Sequence, residues 1–595
     1  MVSLGAIVFL VLGRGGKWAF ADHFSKAILF FALLFLIRYR FWWRVLRHPA
    51  CAGALGFGVW YTVAGIFSLS PVAAWSGITE VWTLLVLAAV GLTTWGEFER
   101  KFLSFFFAGV VCVQTVIYVF GLTAFAFFPG NPQYISFWSC AVVFLALSHV
   151  LPKGDIASPS AVARWGWAVI GVVAMVGAIL LPVRSGLLAL SVGFFVFGSV
   201  RFGWRGVGGV GIGLILGFYF FSSPVVKRLK FEDPRAYKRT DIWRASLAGV
   251  AERPLLGWGP GQFENLYWRH GVPQHDEPVR YEMTTDRAHN ELLHYVTESG
   301  LLGGLFFLCG FVGLWVSKPA GIRGVGLRSA WAGMGAFAMV NSPLVLPACT
   351  VLVGSFVALA PPGRLIHRPF MSFRARRWFV PVLGSFIGLL GLGELSLAVN
   401  EGLGVHRLVF LDSTNLQRVE SLREKADQEL HSGVESEGLA AETKLRELLR
   451  WNPQRADLWR DLGHLKADHR PASRTQEALE DYRHALSLNP RQAPWQFELA
   501  KIFARGGDLK SARHALAGAI QNEPHYFDAW LGFGILLRLD GRPGEALRWL
   551  EALRFKSEAW PLALPGDSGY RRTVLRRDFV LLDQTIALCK KDLGI

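Results

Sequence analysis

Twelve apolar runs follow one another through the first 400 residues, at 24–37, 51–68, 78–95, 102–122, 134–150, 165–181, 187–200, 207–221, 292–316, 329–340, 344–360 and 379–399, and after Asn400 they stop. Short polar stretches separate them, in the manner of spanning helices of about 20 residues. Residues 2–12 form a shorter thirteenth run; a signal peptide is the rival reading there, but the basic residues Arg14 and Lys17 fall on its wrong side. The composition agrees with a membrane chain. Of the 595 residues 52% are hydrophobic and only 18% charged, with 23 Trp and 45 Phe, which excludes disorder, collagen and a small disulfide scaffold. In so apolar a chain, a net charge of +17 marks cytoplasmic loops and lipid or phosphate sites, not nucleic acid. The six cysteines show no CxxC, zinc or disulfide spacing.

Orientation follows from arginine and lysine, which hold short loops in the cytoplasm. Every second loop is basic: Arg38/Arg40/Arg44/Arg47, Arg100/Lys101, Lys153/Arg164, Arg201/Arg205, Lys318/Arg323/Arg328 and Arg364/Arg368/Arg374/Arg376/Arg377. The loops between them at 69–77, 123–133 and 341–343 are almost uncharged, which places them outside. The same alternation puts the long segment 222–291 and everything after residue 400 on the outer side.

Beyond a linker at 401–436, residues 437–595 read as amphipathic helices with fixed punctuation. Asn452-Pro453, Asn489-Pro490 and Glu523-Pro524 lie 37 and 34 residues apart, and Trp459, Trp495 and Trp530 lie 36 and 35 apart. Trp459-Arg-Asp-Leu462-Gly463 and the run Ala478, Tyr482, Ala485, Pro490 resemble the tetratricopeptide repeat. Three repeats with a partial one before Pro453 are expected, forming a solenoid that offers a concave surface to a protein partner or serves as a spacer. The expected fold is therefore all-α: a polytopic membrane bundle over 1–400, then a repeat solenoid.

Ionisable residues inside spans are the usual mark of transport. Apart from Glu80 and Glu394 the apolar runs hold almost none, which disfavours an ion or proton relay. Charge gathers instead at the outer face. Arg184 closes one span in Leu181-Pro182-Val183-Arg184-Ser185-Gly186. It could snorkel to headgroups, but Ser185-Gly186 also suits a backbone approached by a ligand. The outer segment carries Arg239, Trp243 and Arg244, then Gly257-Trp-Gly259-Pro-Gly261, where alternate glycines allow backbone N–H groups to point at one anion. A tight surface loop is the plainer reading of those glycines. His289-Asn290 stand where the next apolar run begins, as a helix cap or as a base beside a phosphate site.

Residues 57–360 resemble the bacterial O-antigen ligase and O-antigen polymerase superfamily. The resemblance rests on Arg184-Ser185-Gly186, on Arg239 and Trp243 ahead of 254–263, on His289-Asn290 followed by Leu293, Glu298 and Gly300, and on Gly130-Asn131-Pro132 and Asn341-Ser-Pro343. It implies a metal-independent glycosyltransferase without a cofactor, in the bacterial cytoplasmic membrane. Such an enzyme moves a glycan from an undecaprenyl-pyrophosphate donor to an acceptor hydroxyl at the outer face. By the resemblance, Arg184 and Arg239 hold the pyrophosphate and His289 activates or orients the acceptor, with Ser185, Gly186, Arg244, Gly257, Gly259, Gly261 and Asn290 as binding residues. Glu232-Asp233 and Asp276-Glu277 keep an acidic metal site on the outer segment in view. The family's body ends in the cytoplasm, whereas here the further run 379–399 carries the chain outward into the repeats. Ligase, polymerase and protein-directed transfer all remain open, as do a non-catalytic scaffold that recruits envelope proteins and a flippase.

Overall fold

A computed structural model of the protein describes residues 3, 5–8, 19–36, 49–68, 70–121, 132–151, 160–180, 183–209, 211, 234–274, 277–316, 321–345, 347–359, 373–403, 435–468 and 474–595. Every regular element among them is helical. The chain divides into two compact units, one of Met1–Trp243, Val250–Gly261 and Arg287–Asp412, the other of Arg244–Gly249, Gln262–Asp286 and Ser413–Ile595.

In chain order the helices up to the second apolar stretch are α1 (Ala19–Leu36), α2 (Pro49–Ile66), α3 (Pro71–Thr94), α4 (Glu97–Val119), α5 (Pro132–Val150), α6 (Ala161–Leu180), α7 (Arg184–Phe202), α8 (Pro234–Glu252) and α9 (Phe263–His270). The first unit continues with α10 (Glu291–Val316), α11 (Gly321–Ala338), α12 (Pro347–Leu359) and α13 (Phe373–Leu403). Seven described helices are long and apolar enough to cross a membrane, and α2 is a shorter apolar one. The expected runs 2–12 and 207–221 lie mostly outside the described residues, as does the linker 401–436.

Small residues let the spans approach closely, as lipid-embedded interfaces require. At Gly53 of α2 an added Cβ would strike the backbone of Cys309 and Gly310 in α10, and at Gly56 it would meet the Phe306 ring. Polar groups in the bundle find one another. Lys26 of α1 is 2% exposed, and its Nζ lies 2.8 Å from Asp22 and 3.0 Å from Glu80 of α3. His23 Nδ1 lies 2.7 Å from Glu394 of α13, which also accepts the Trp75 indole N–H at 3.1 Å. The sequence count of Glu80 and Glu394 omits three polar groups of α1: Lys26 and His23, which partner them, and Asp22, which shares Lys26. They lie in an otherwise apolar helix, where a short-window reading hides them.

The second unit is built from α14 (Glu435–Trp451), α15 (Ala456–Asp468), α16 (Thr475–Leu488), α17 (Ala493–Arg505), α18 (Leu509–Asn522), α19 (Phe527–Leu539), α20 (Pro543–Glu558), α21 (Gly569–Leu575) and α22 (Phe579–Leu593). Three hairpins, α15/α16, α17/α18 and α19/α20, follow the expected tetratricopeptide-type pattern, with α14 as the preceding half-repeat. The punctuation has a bonded cause: the Trp459 indole donates to the Pro453 carbonyl and the Trp530 indole to that of Pro524, both at 2.9 Å. At Gly463 an added Cβ would meet the Tyr482 ring, which fixes how closely α15 and α16 pack. One boundary differs from the sequence reading. Residues 262–286 were expected with the membrane part but pack with the repeats, because Val279 is fully buried among Ala493, Ala500, Ala512, Leu516 and Tyr526.

Removing one partner of a buried ion cluster costs about 3–5 kcal/mol, since the remaining charges are left uncompensated. Lys26→Ala is therefore expected to lower the unfolding temperature of the detergent-solubilised protein sharply, and Lys26→Ala with Glu80→Gln to recover part of the loss. Equal thermal stability of Lys26→Ala and the wild type would show that the cluster carries no structural weight.

Candidate functional site

α7 begins at Arg184, directly after Val183 in extended conformation. Next to it, the Ser185 hydroxyl accepts a hydrogen bond from the Asn341 side-chain amide. The Asn341 carbonyl oxygen in turn accepts from the Arg239 guanidinium at 3.2 Å. Arg239 lies one turn before Trp243 on α8, so both side chains leave the same face of that helix. The Trp243 indole donates to the Ala288 carbonyl at 2.9 Å, and Ala288 is the residue before His289. One bonded path thus runs from the start of α7, through Asn341 and along α8, to the residue beside His289. From the other direction, Glu291 at the start of α10 accepts the Leu344 N–H at 2.7 Å, so the 341–344 turn is held by three elements.

His289 has φ 51°, the one positive value among the described non-glycine residues. A left-handed non-glycine residue of this kind costs about 1–3 kcal/mol and persists only where its surroundings hold it. On one side is the Trp243–Ala288 bond, with Ala288 fully buried. On the other is Asn290, whose side chain accepts the Leu293 N–H at 2.9 Å and so caps α10.

The glycine loop does something other than the anion binding expected of it. Its donors are taken: Gly257 N–H bonds to Arg253, Trp258 N–H to Thr297 at 3.0 Å, Gly259 N–H to the Glu298 carbonyl at 2.9 Å and Gly261 N–H to the Glu298 carboxylate at 2.8 Å. α10 breaks at Gly300, with φ 72°. There the Leu301 N–H, which in a continuous helix would bond to Thr297, turns to the Pro254 carbonyl at 2.8 Å. The loop therefore splices into the helix ladder. The other Glu298 carboxylate oxygen accepts from the Tyr61 hydroxyl of α2, and the Trp60 indole donates to the Ser299 carbonyl at 2.8 Å.

Four further residues expected at the site have these places. Gly186 is buried where an added Cβ would strike the Ser136 hydroxyl of α5, so its small size serves packing. The Ser185 hydroxyl accepts from Asn341, and Asn290 caps α10. Arg244 is exposed on α8 and groups with the second unit. Glu232-Asp233 and Asp276 lie outside the described residues. Asn341 and Glu291 were not singled out by sequence as site residues; the signal that could have found Asn341 was its uncharged outer turn between two spans.

Beside the 341–344 turn lies a cavity of about 150 Å³, lined by residues of α2, α3, α5, α10, α11 and α12 together with Pro343 and Leu344. Its walls are almost wholly apolar, with Phe57, Phe137, Phe311 and Trp331 prominent; Glu80, Thr350 and Tyr295 supply its few polar atoms.

Residues 166–308 match the family model described as O-antigen ligase, a segment that contains Arg184, Arg239, the glycine loop and His289. Among solved structures, the C-terminal region is similar to two described as the crystal structure of MamA and of MamA protein. The first is 17% identical and covers 32% of this chain and 96% of its own, with a TM-score of 0.22. The second is 18% identical and covers 31% and 91%, with the same TM-score. No curated protein matches the chain significantly.

An alanine at 300 would bring a Cβ against the Leu255 carbonyl and hold it at positive φ, a backbone cost of about 1–3 kcal/mol before the clash is counted. Gly300→Ala should lower the unfolding temperature, whereas Gly109→Ala in α4, where an added Cβ meets nothing within 4 Å, should not. Equal shifts for the two variants would refute the splice as a stabilising feature.

Proposed function

We propose that this protein is a membrane glycan transferase of the O-antigen ligase type, acting on an undecaprenyl-pyrophosphate-linked donor at the outer face of the bacterial cytoplasmic membrane. The observation that carries the reading is the bonded path that ties Arg239, through Asn341 and Ser185, to the neighbour of Arg184 and, through Trp243 and Ala288, to the neighbour of His289, all but Asn341 within the segment matching the O-antigen ligase family. The apolar cavity against the 341–344 turn supports it, since an isoprenoid chain needs apolar surface.

In this mechanism the acceptor oxygen attacks the anomeric carbon while the bond from that carbon to the pyrophosphate breaks, and the bonding pair leaves on the diphosphate. Arg184 and Arg239 stabilise the charge that develops there. Guanidinium groups remain protonated at any relevant pH and meet phosphate oxygens in bidentate fashion. His289 takes the proton that the acceptor hydroxyl loses. The strained backbone at His289 fits a residue whose ring must be aimed. Asn341, bonded to both Arg239 and Ser185, holds the first guanidinium beside the start of α7. No metal or cofactor enters the scheme, so a chelator should leave the rate unchanged.

The sidedness follows from the basic loops. The repeats share the compartment of the outer segment, because 262–286 is packed into them. One transfer per acceptor is the expected behaviour of a ligase, in keeping with the family description. The acceptor is a lipid, a glycan or a protein hydroxyl.

Reconstitution with a lipid-linked oligosaccharide and candidate acceptors tests the proposal by product size. A single larger product indicates a ligase, a ladder a polymerase, and unchanged covalent structure a flippase or scaffold. Arg184→Ala, Arg239→Ala and His289→Ala should each reduce transfer by about 10²–10³-fold, the usual effect of removing one group that stabilises a transition state. Arg184→Lys should recover little, because an ammonium cannot replace the fork. Full activity in all three alanine variants would defeat the catalytic reading.

A further inference from the structure

The three repeat punctuation marks occupy one structural position. Asn452, Asn489 and Glu523 close α14, α16 and α18 in turn, each with its N–H bonded four residues back at 2.9 Å, and all three are buried. The backbone is the same three times, while the side chain changes once, from amide to carboxylate. Segment 271–282 meets the array at that change.

Glu523 is fully buried, and its two oxygens accept the N–H groups of Arg280 at 2.7 Å and Tyr281 at 2.8 Å, with the Tyr570 hydroxyl at 3.0 Å. Each N–H has its own oxygen, and an amide would turn an NH₂ donor towards one of them. The residues two places after the second and third marks act alike: Arg491 donates to the Gly271 carbonyl, and His525 Nδ1 lies 2.9 Å from the Pro278 carbonyl. Val279 fills the adjoining core, while Ser568 and Arg571 hold Glu282 at 2.7 and 3.0 Å. The segment is a turn, closed by the Gln274 N–H on the Arg280 carbonyl at 3.0 Å; backbone groups paired by fixed side chains, one aliphatic anchor and one acidic anchor are the means by which a receptor holds a peptide.

We propose that the repeat array is a peptide receptor whose occupant is this chain's own segment 277–282, and that Glu523 is thereby a positioning residue for the loop carrying His289. Burial pushes the Glu523 carboxyl above its ordinary value, opposed by the bonds from Arg280, Tyr281 and Tyr570; left without them, so buried a group would be costly. The gripped segment leads through Asp286 to Arg287, Ala288 and His289. His289 sits in a conformation that must be imposed from outside, and the repeats hold the chain on its N-terminal side.

The grip itself is independent of the proposed chemistry, whereas its effect on transfer rests on that reading; the test separates the two. Hydrogen exchange is followed in the full-length protein in detergent for the wild type, for Glu523→Gln, which keeps the shape of the side chain, and for Val279→Ser, which acts from the loop and leaves the repeats unaltered. Both variants should exchange about tenfold faster over 277–282, the effect of losing one net hydrogen bond or its equivalent, and faster than wild type over 287–291 as well. Wild-type protection over 277–282 in both variants would overturn the receptor, and loosening that stops before 287 would overturn the positioning role. In the reconstituted assay both variants should lower kcat with the donor KM unchanged. A loosened loop with unaltered kcat would also overturn the positioning role. Failure of the wild type to form any glycosidic bond would count against the transferase reading alone, because the exchange measurement still decides whether the repeats hold the loop.

Discussion

The Glu298 carboxylate, buried in α10 and bonded to the Tyr61 hydroxyl and the Gly261 N–H, is the contact on which the shape of the candidate site depends. It lies one turn before the spot where α10 gives up its own ladder. The carbonyls of Thr297 and Glu298, freed by the break at Gly300, are taken up by Trp258 and Gly259, and the displaced Leu301 N–H is taken up by Pro254. These replacement bonds are what makes a break tolerable at this depth. The result is a helix start aimed by a loop, with His289, Asn290 and Glu291 on that start. Tyr61 adds α2 to the same knot, so one wall of the apolar cavity and the polar end of the site share a fastening.

Much of this arrangement can be read from sequence, and what cannot has a physical reason. The all-helical class and the repeats follow from periodicity, because apolar length and a fixed spacing of Trp and Pro report on local structure alone. Arg184 and His289 stand out by their position at apolar boundaries, and Arg239 by its basic stretch on the outer segment. The glycines at 257, 259 and 261 were legible as a special backbone but not as to purpose: a phosphate nest and a splice into a neighbouring helix ask for the same conformations. Their partners, Thr297 and Glu298, lie some 40 residues on. Asn341 illustrates the other limit. Its uncharged outer turn and its place in the resemblance mark the loop, but only the fold sets the amide between Ser185 and Arg239.

The polar cluster of Asp22, Lys26 and Glu80 on α1 and α3, with His23 of α1 and Glu394 of α13 beside it, modifies the view of the membrane part as an apolar container. Lys26 meets both carboxylates of the trio, and Glu80 lines the cavity. One ammonium thereby ties α1 to α3 at depth, and the contacts of Glu394 with His23 and Trp75 tie α13 to the same pair. Each member is tolerable there because it is matched by another polar group, and removing one would leave its partners buried without compensation.

The repeats show how a specific site can hide inside a regular one. Asparagine closes α14 and α16 in the same way, and the last hairpin closes on Ala559. At Glu523 the same backbone bond is made, so nothing in the geometry of the cap demands a carboxylate. The demand comes from the adjacent N–H groups of Arg280 and Tyr281, in a turn of the outer segment. Each takes its own oxygen, and a carboxylate presents two acceptor oxygens with no donor beside them. A departure from a repeat's own consensus at a buried position thus identifies a ligand better than the repeat fold does. Here the ligand is covalently part of the receptor, so the grip operates at the high effective concentration of a tethered partner.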